Sequence, residues 1–132
     1  MRVVLDTNVF LSGIHWTGDS HQVLRVWFTG KFILVSSPEI NEELFAQLKD
    51  FKIQMESDEI LWWETAIIEK SIVVEPKAKL NVIKEDKDDD KFIEAAFEGN
   101  CDYIVSQDKH LLKLKDYNGI KILTPKEFLE II

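Results

Sequence analysis

The sequence predicts an α/β fold, a central parallel sheet of about five strands with helices on both faces. Two patterns predict it. Short apolar runs of strand type alternate with longer segments of helical periodicity, and the runs come in strand-then-helix order along the whole chain. Strands joined in that way lie parallel and are covered on both faces. No internal repeat and no linker divides the 132 residues, so residues 1–132 read as one domain.

Residues 2–6 form the first buried strand, which carries Val3-Val4-Leu5 and ends on Asp6. Residues 7–14 read as a turn and a short helix, and residues 20–29 as a helix closed by Gly30. Phe32-Ile33-Leu34-Val35 is the second strand. Ser37-Pro38 then supplies an N-cap and a proline at the first helical position, opening a helix to about residue 50. A further helix over 57–70 leads to the strand Ile72-Val73-Val74. Residues 75–88, with Pro76 and many Lys and Asp, read as a loop, and the helix over 89–98 stops at Gly99. Tyr103 to Ser106 is the fourth strand, His110 to Leu114 a short helix, and Ile120 to Leu123 the fifth strand. Thr124-Pro125-Lys126-Glu127 is a capping box for the last helix.

Composition narrows the function classes. Hydrophobic residues make up 45% and charged residues 30%, with 5 Gly and 3 Pro, as in ordinary globular chains. The apolar runs are too short to span a membrane. The start, Met-Arg-Val-Val-Leu-Asp, meets a charge too early for a signal peptide. The single cysteine, Cys101, excludes an intrachain disulfide, fits a reducing cytoplasm and reads as a small core residue. A net charge of −8, from 16 basic and 24 acidic residues, argues against a protein that coats nucleic acid. A nuclease using divalent ions is less affected, because the ions offset part of that charge.

Four acids carry the functional signal: Asp6, Glu43, Asp89 and Asp108. Asp6 and Asp108 follow apolar strands, so both are expected at the carboxyl edge of the sheet, where such folds place their sites. In the helix after Pro38 the apolar stripe is Ile40, Leu44, Leu48 and Phe51. Glu43 lies about 95° from its centre, while Glu39 and Glu42 lie roughly 135° and 165° away and face water. Asp89, Phe92, Ile93 and Ala96 share one helical row, so Asp89 faces the core, with Asp88 and Asp90 to either side. Each acid also has a plain structural reading, as turn former, helix cap or surface charge. Capping does not explain four acids converging on one sheet edge. With no Lys or Arg matched to them, the group implies a divalent metal.

Around these acids, Thr7 and Asn8 are candidates to orient Asp6 or a water, and Ser106 to contact a water or a substrate phosphate. Lys91, Lys109 and Lys113 are candidate phosphate contacts, although solvated helix lysines are the commoner meaning of such positions. His110 has no ligand spacing with His15 or His21 and reads as a surface residue. Four tryptophans, Trp16, Trp27, Trp62 and Trp63, exceed what the core requires. Adjacent Trp62 and Trp63 cannot share one helix face, so at least one is expected to meet another chain.

Taken together, Leu5-Asp6-Thr7-Asn8-Val9, Ser37-Pro38-Glu39-Ile40-Asn41-Glu42-Glu43-Leu44, the stretch Asp86 to Ala96 and the stretch Asp102 to Leu112 resemble the PIN-domain family. The resemblance spans nearly the whole chain, with the motifs in order, and is closest to toxin components of toxin–antitoxin systems. It implies a three-layer PIN-like fold and a metal-dependent endoribonuclease in the cytoplasm. Residues matching Asp6, Glu43, Asp89 and Asp108 would hold one or two Mg²⁺ or Mn²⁺ ions. Single-stranded or structured RNA, an antitoxin protein and a second copy of the chain are the implied partners. Three positions depart from the family pattern: Lys87 stands where proline is common, Ser106 where threonine is common, and His110 where a second acid often follows.

Two other function classes use the same residues. In one, Asp6 is the nucleophile of a phosphoryl-transfer enzyme of phosphatase or receiver type. Asn8 in place of a second Asp and the missing late Lys disfavour it. In the other, the fold survives as a binding module without activity, which the retention of all four acids disfavours.

Overall fold

The residues Val3, Val4 and Leu5 are each at most 1% exposed, and they form the strand beside which both halves of the sheet assemble. The computed structural model describes residues 1–50 and 54–132. Within them the order is β1 (Arg2–Leu5), α1 (Thr7–His15), α2 (Asp19–Phe28), β2 (Ile33–Ser36), α3 (Pro38–Asp50), α4 (Ser57–Glu69) and β3 (Ser71–Val73). There follow a 3₁₀ turn (Lys87–Asp89), α5 (Asp90–Glu98), β4 (Tyr103–Val105), α6 (Lys109–Leu114), β5 (Asp116–Tyr117), β6 (Ile120–Leu123) and α7 (Pro125–Ile131). Phe51, expected on the stripe of α3, lies outside the described residues.

The sheet order is β3-β2-β1-β4-β6-β5, parallel throughout except for β5. This agrees with the predicted architecture and adds one strand. The extra strand, β5, pairs antiparallel with β6 through the turn Asn118-Gly119. Both turn residues have positive φ, 50° and 87°, as a tight two-residue hairpin requires.

Alternation along the strands sends side chains to two cores. Val3, Leu5, Leu34 and Val105 pack with Phe10, Leu24, Trp27, Leu44 and Phe128 on one face. Val4, Val35, Ile104 and Ile122 pack with Phe92, Ile93, Ala96 and Leu111 on the other. Helices therefore cover both faces.

Local signals set the helix starts. The Ser37 hydroxyl accepts the Ile40 N–H at 3.2 Å ahead of Pro38. Thr124 and Glu127 make both bonds of a capping box at the start of α7, at 3.1 and 2.9 Å. No helix among the described residues is long and apolar enough to cross a membrane.

Helix α5 is buried on nearly every side, because the segment 77–83 lies along its outer face. Three carboxylates, one per helical turn, fasten that segment by accepting its backbone N–H groups. Glu98 accepts from Lys77 (3.0 Å), Glu94 from Leu80 (2.8 Å), and Asp90 from Val82 and Ile83 (3.1 and 2.8 Å). Asp90 was expected merely to flank Asp89. It is buried and satisfies two backbone donors instead.

Candidate functional site

The strand order reverses between β1 and β4, so connections leave in opposite directions and open a crevice at their carboxyl ends. Leu5 and Val105 are the last paired residues of the two strands, which places Asp6 and Ser106 side by side at the mouth. Asp6 leaves the strand to cap α1, its Oδ1 accepting the Asn8 N–H at 3.4 Å. Its Oδ2 accepts the Ser106 hydroxyl at 2.6 Å. The same hydroxyl accepts the Asp108 N–H at 2.9 Å, and Asp108 caps α6 by accepting the His110 N–H at 2.7 Å. One buried hydroxyl therefore links two of the acids.

The other two arrive from helices. Asp89 ends the 3₁₀ turn at the N-cap position of α5 without a side-chain capping bond; it is 7% exposed, and its Oδ2 has no hydrogen-bond partner among the described residues. Glu43, on α3, is ion-paired with Lys91 of α5. These residues line a cleft of about 270 Å³ together with Thr7, Asn8, Gln47, Asp86, Asp88 and Phe92. Among the described residues its lining holds six carboxylates and one ammonium.

That imbalance changes the acids' proton affinity. Burial pushes Asp89 up to about 7, and the charges of Asp108, Asp86 and Asp6 push the same way against Lys91. Burial also raises Asp6, reinforced by Asp108 and Glu43 and opposed by the bonds from Ser106 and Asn8. A buried carboxylate oxygen without a donor, set among like charges, matches what a divalent cation needs from oxygen ligands. One donor atom each from Asp89, Asp108 and His110 lie within 4.8 Å of one another.

Several expectations change at this site. Lys91 is neither a solvated lysine nor a free phosphate contact: it is 6% exposed, paired with Glu43, and donates from Nζ to the Asp88 carbonyl at 2.7 Å. The acids are therefore not wholly without a matched cation, since Glu43 has one. Ser106 is fully buried, and its hydroxyl donates to Asp6 and accepts the Asp108 N–H. Lys109 and Lys113 lie outside the cleft lining; Lys113 is exposed, with Glu85 3.9 Å away. Thr7 is buried, its hydroxyl without a partner among the described residues, and Asn8 is exposed. His110 is half-buried, with Nδ1 3.8 Å from Asp108 Oδ1. Its spacing from other histidines gave no sign of this, because its neighbours are carboxylates.

Away from the cleft, burial pushes the Cys101 thiol up to about 12, as suits an inert core residue. Trp27 is buried and donates its indole N–H to the Lys70 carbonyl at 3.0 Å. On α4, Leu61, Trp62 and Ile68 are 61%, 56% and 53% exposed, while Trp63 packs against the core.

Fold, crevice and acidic lining together define a PIN domain. The PIN domain family model matches residues 2–110, and the chain belongs to that family, whose members are generally nucleases. Among solved structures, a chain of VapBC2 from Rickettsia felis, crystallised with a DNA fragment from the complex's promoter, superposes with a TM-score of 0.62. It is 14% identical, and the match covers 92% of this chain and 97% of that one. At that identity the likeness concerns the fold. No curated protein matches the sequence.

Proposed function

We propose that the chain is a divalent-metal-dependent endoribonuclease and the toxin of a toxin–antitoxin pair. The observation that carries this reading is the buried Asp89 oxygen, without a partner among the described residues, in a cleft that they line with six carboxylates and one ammonium. Asp6, Asp89 and Asp108 would hold Mg²⁺ or Mn²⁺, with Glu43 at the border. A bound ion supplies Lewis acidity, offsetting phosphodiester charge and making a water acidic enough to attack phosphorus.

The chain's own residues do the positioning. Ser106 fixes the Asp6 carboxylate and the Asp108 backbone relative to each other. Lys91 holds the Glu43 carboxylate at the cleft. Burial and the neighbouring carboxylates raise Asp89 to about 7, so a proton and a cation would compete for its carboxylate near neutral pH. An unstacked single strand of RNA can lay its backbone along such a cleft.

The VapBC2 origin of the structural neighbour supports a protein partner of antitoxin type. The exposed apolar face of α4 supports a contact with that partner or with a second copy of the chain. Labelled single-stranded RNA incubated with and without Mg²⁺ or Mn²⁺ tests the activity. Cleavage that needs the ion and is lost in Asp6→Asn and Asp89→Asn is expected. A folded wild type that neither cleaves nor binds a divalent ion by calorimetry would return the chain to the class of binding modules.

A further inference from the structure

We propose that His110 supplies a nitrogen donor to the ion held by Asp89 and Asp108, so that the site favours a first-row transition ion such as Mn²⁺ over Mg²⁺. The inference rests on the reading of the cleft as a metal site and specifies its chemistry.

The donors are already gathered. First-row ions hold imidazole nitrogen and carboxylate oxygen at about 2.0–2.2 Å, so two ligands of one ion are at most about 4.4 Å apart. The candidate atoms of Asp89, Asp108 and His110 lie within 4.8 Å of one another, so a small side-chain rotation closes the set. Asp89 points to a ligand independently of that spacing: it is 7% exposed, and its Oδ2 has no partner among the described residues. Asp108 is held by the His110 backbone N–H at 2.7 Å, which ties the carboxylate to the residue that carries the imidazole. The ring's Nδ1 stands 3.8 Å from the same carboxylate oxygen, too far for a hydrogen bond. The ring is thus close to the acids without being committed to them.

The chemistry follows from donor type. Mg²⁺ takes oxygen ligands and keeps several waters, and it gains little from imidazole. Carboxylates suit both Mg²⁺ and Mn²⁺, but affinity for a site that includes nitrogen rises along the first-row series that begins at Mn²⁺, so an imidazole favours the transition ion. A neutral nitrogen also adds a ligand without adding charge to a cleft that already holds six carboxylates.

The test loads the full chain with Mn²⁺ and records pulsed electron paramagnetic resonance. Nitrogen-14 modulation is expected in the wild type and its loss in His110→Asn, a variant that keeps the backbone bond to Asp108. By calorimetry, His110→Asn should weaken Mn²⁺ binding on the order of ten-fold or more and leave Mg²⁺ binding nearly unchanged. Bound Mn²⁺ without nitrogen modulation, at an affinity His110→Asn does not alter, would overturn this proposal while leaving the metal site in place. A folded wild type that binds neither ion would overturn both, and Asp89→Asn abolishing both affinities would uphold the site itself.

Discussion

Lys91 lies beneath the mouth of the acidic cleft with its ammonium shared between the Glu43 carboxylate and the Asp88 carbonyl. The pair ties α3 to α5 across the crevice, and Lys91 is almost fully buried. Removing the ammonium leaves Glu43 among like charges. Lys91→Met is therefore expected to destabilise the metal-free protein by about 1–3 kcal/mol, discounted for the partial exposure of Glu43. The same change should tighten divalent binding, because it frees a carboxylate. Denaturant melts and calorimetry check the two signs; a variant as stable as wild type with weaker ion binding would contradict the account.

The proton affinity of Asp89 predicts a pH dependence. Its ordinary value is 3.8 and its folded value about 7. Between these the folded state holds more protons than the unfolded chain, so this contribution, complete below about 4, is lost as pH rises towards 7. Asp89→Asn mimics the protonated form. At pH 8 without metal the variant should be more stable than wild type, on the order of 1–3 kcal/mol, and the advantage should shrink as pH falls through 5 and vanish only below about pH 4. Ion affinity of the wild type should fall as pH drops below 7, since the proton competes. Lower stability of Asp89→Asn at pH 8 and at pH 4 alike would end this reading.

The carboxylates on the outer face of α5 position the acidic turn that follows the segment they hold. Asp90→Ala leaves the Val82 and Ile83 N–H groups without acceptors. A loss of roughly 2–4 kcal/mol is expected from two stranded donors, with faster amide hydrogen exchange across 77–83 than in α1. Unchanged exchange in that segment would show that other contacts hold it.

Gly13 sets competing effects against each other. Alanine at a helix interior gains up to about 1 kcal/mol over glycine. Here its Cβ would stand 2.7 Å from Leu24 Cδ1 and 2.8 Å from the Ser20 carbonyl oxygen. A backbone oxygen cannot step aside as a side chain can, so α1 and α2 must separate, at a cost of about 1–3 kcal/mol. The clash should win, and Gly13→Ala should lower the melting temperature. A raised melting temperature would show the two helices to be more loosely coupled than their contact suggests.

Much of this arrangement was readable beforehand, for reasons particular residues make clear. Asp6 and Asp108 follow apolar strands, and a parallel sheet leaves such residues little choice of edge. Glu43 and Asp89 were placed by helical rotation, a local rule. Lys91 escaped the same rule, because helical rotation assumes that a helix turns one side to water. The outer face of α5 is covered by the segment 77–83 and Lys91 is paired with Glu43 of α3, and no local pattern announces either contact. The choice of Ser106 as the link between two acids depends on a contact spanning the chain from residue 6 to residue 106. The hairpin at Asn118-Gly119 is a different case: its turn signature is local, but the strand it starts from, Asp116–Tyr117, is two residues long and too short to show a period of its own.

Two of the cleft's acids also start helices, Asp6 for α1 and Asp108 for α6. Asparagine serves as well as aspartate in that position, and the two residues are separated by a single base change. On the proposed reading of the cleft, one transition at either codon would remove a cation ligand and leave a protein that still folds. Dormant descendants of this gene should accordingly carry asparagine at these two positions more often than any other replacement.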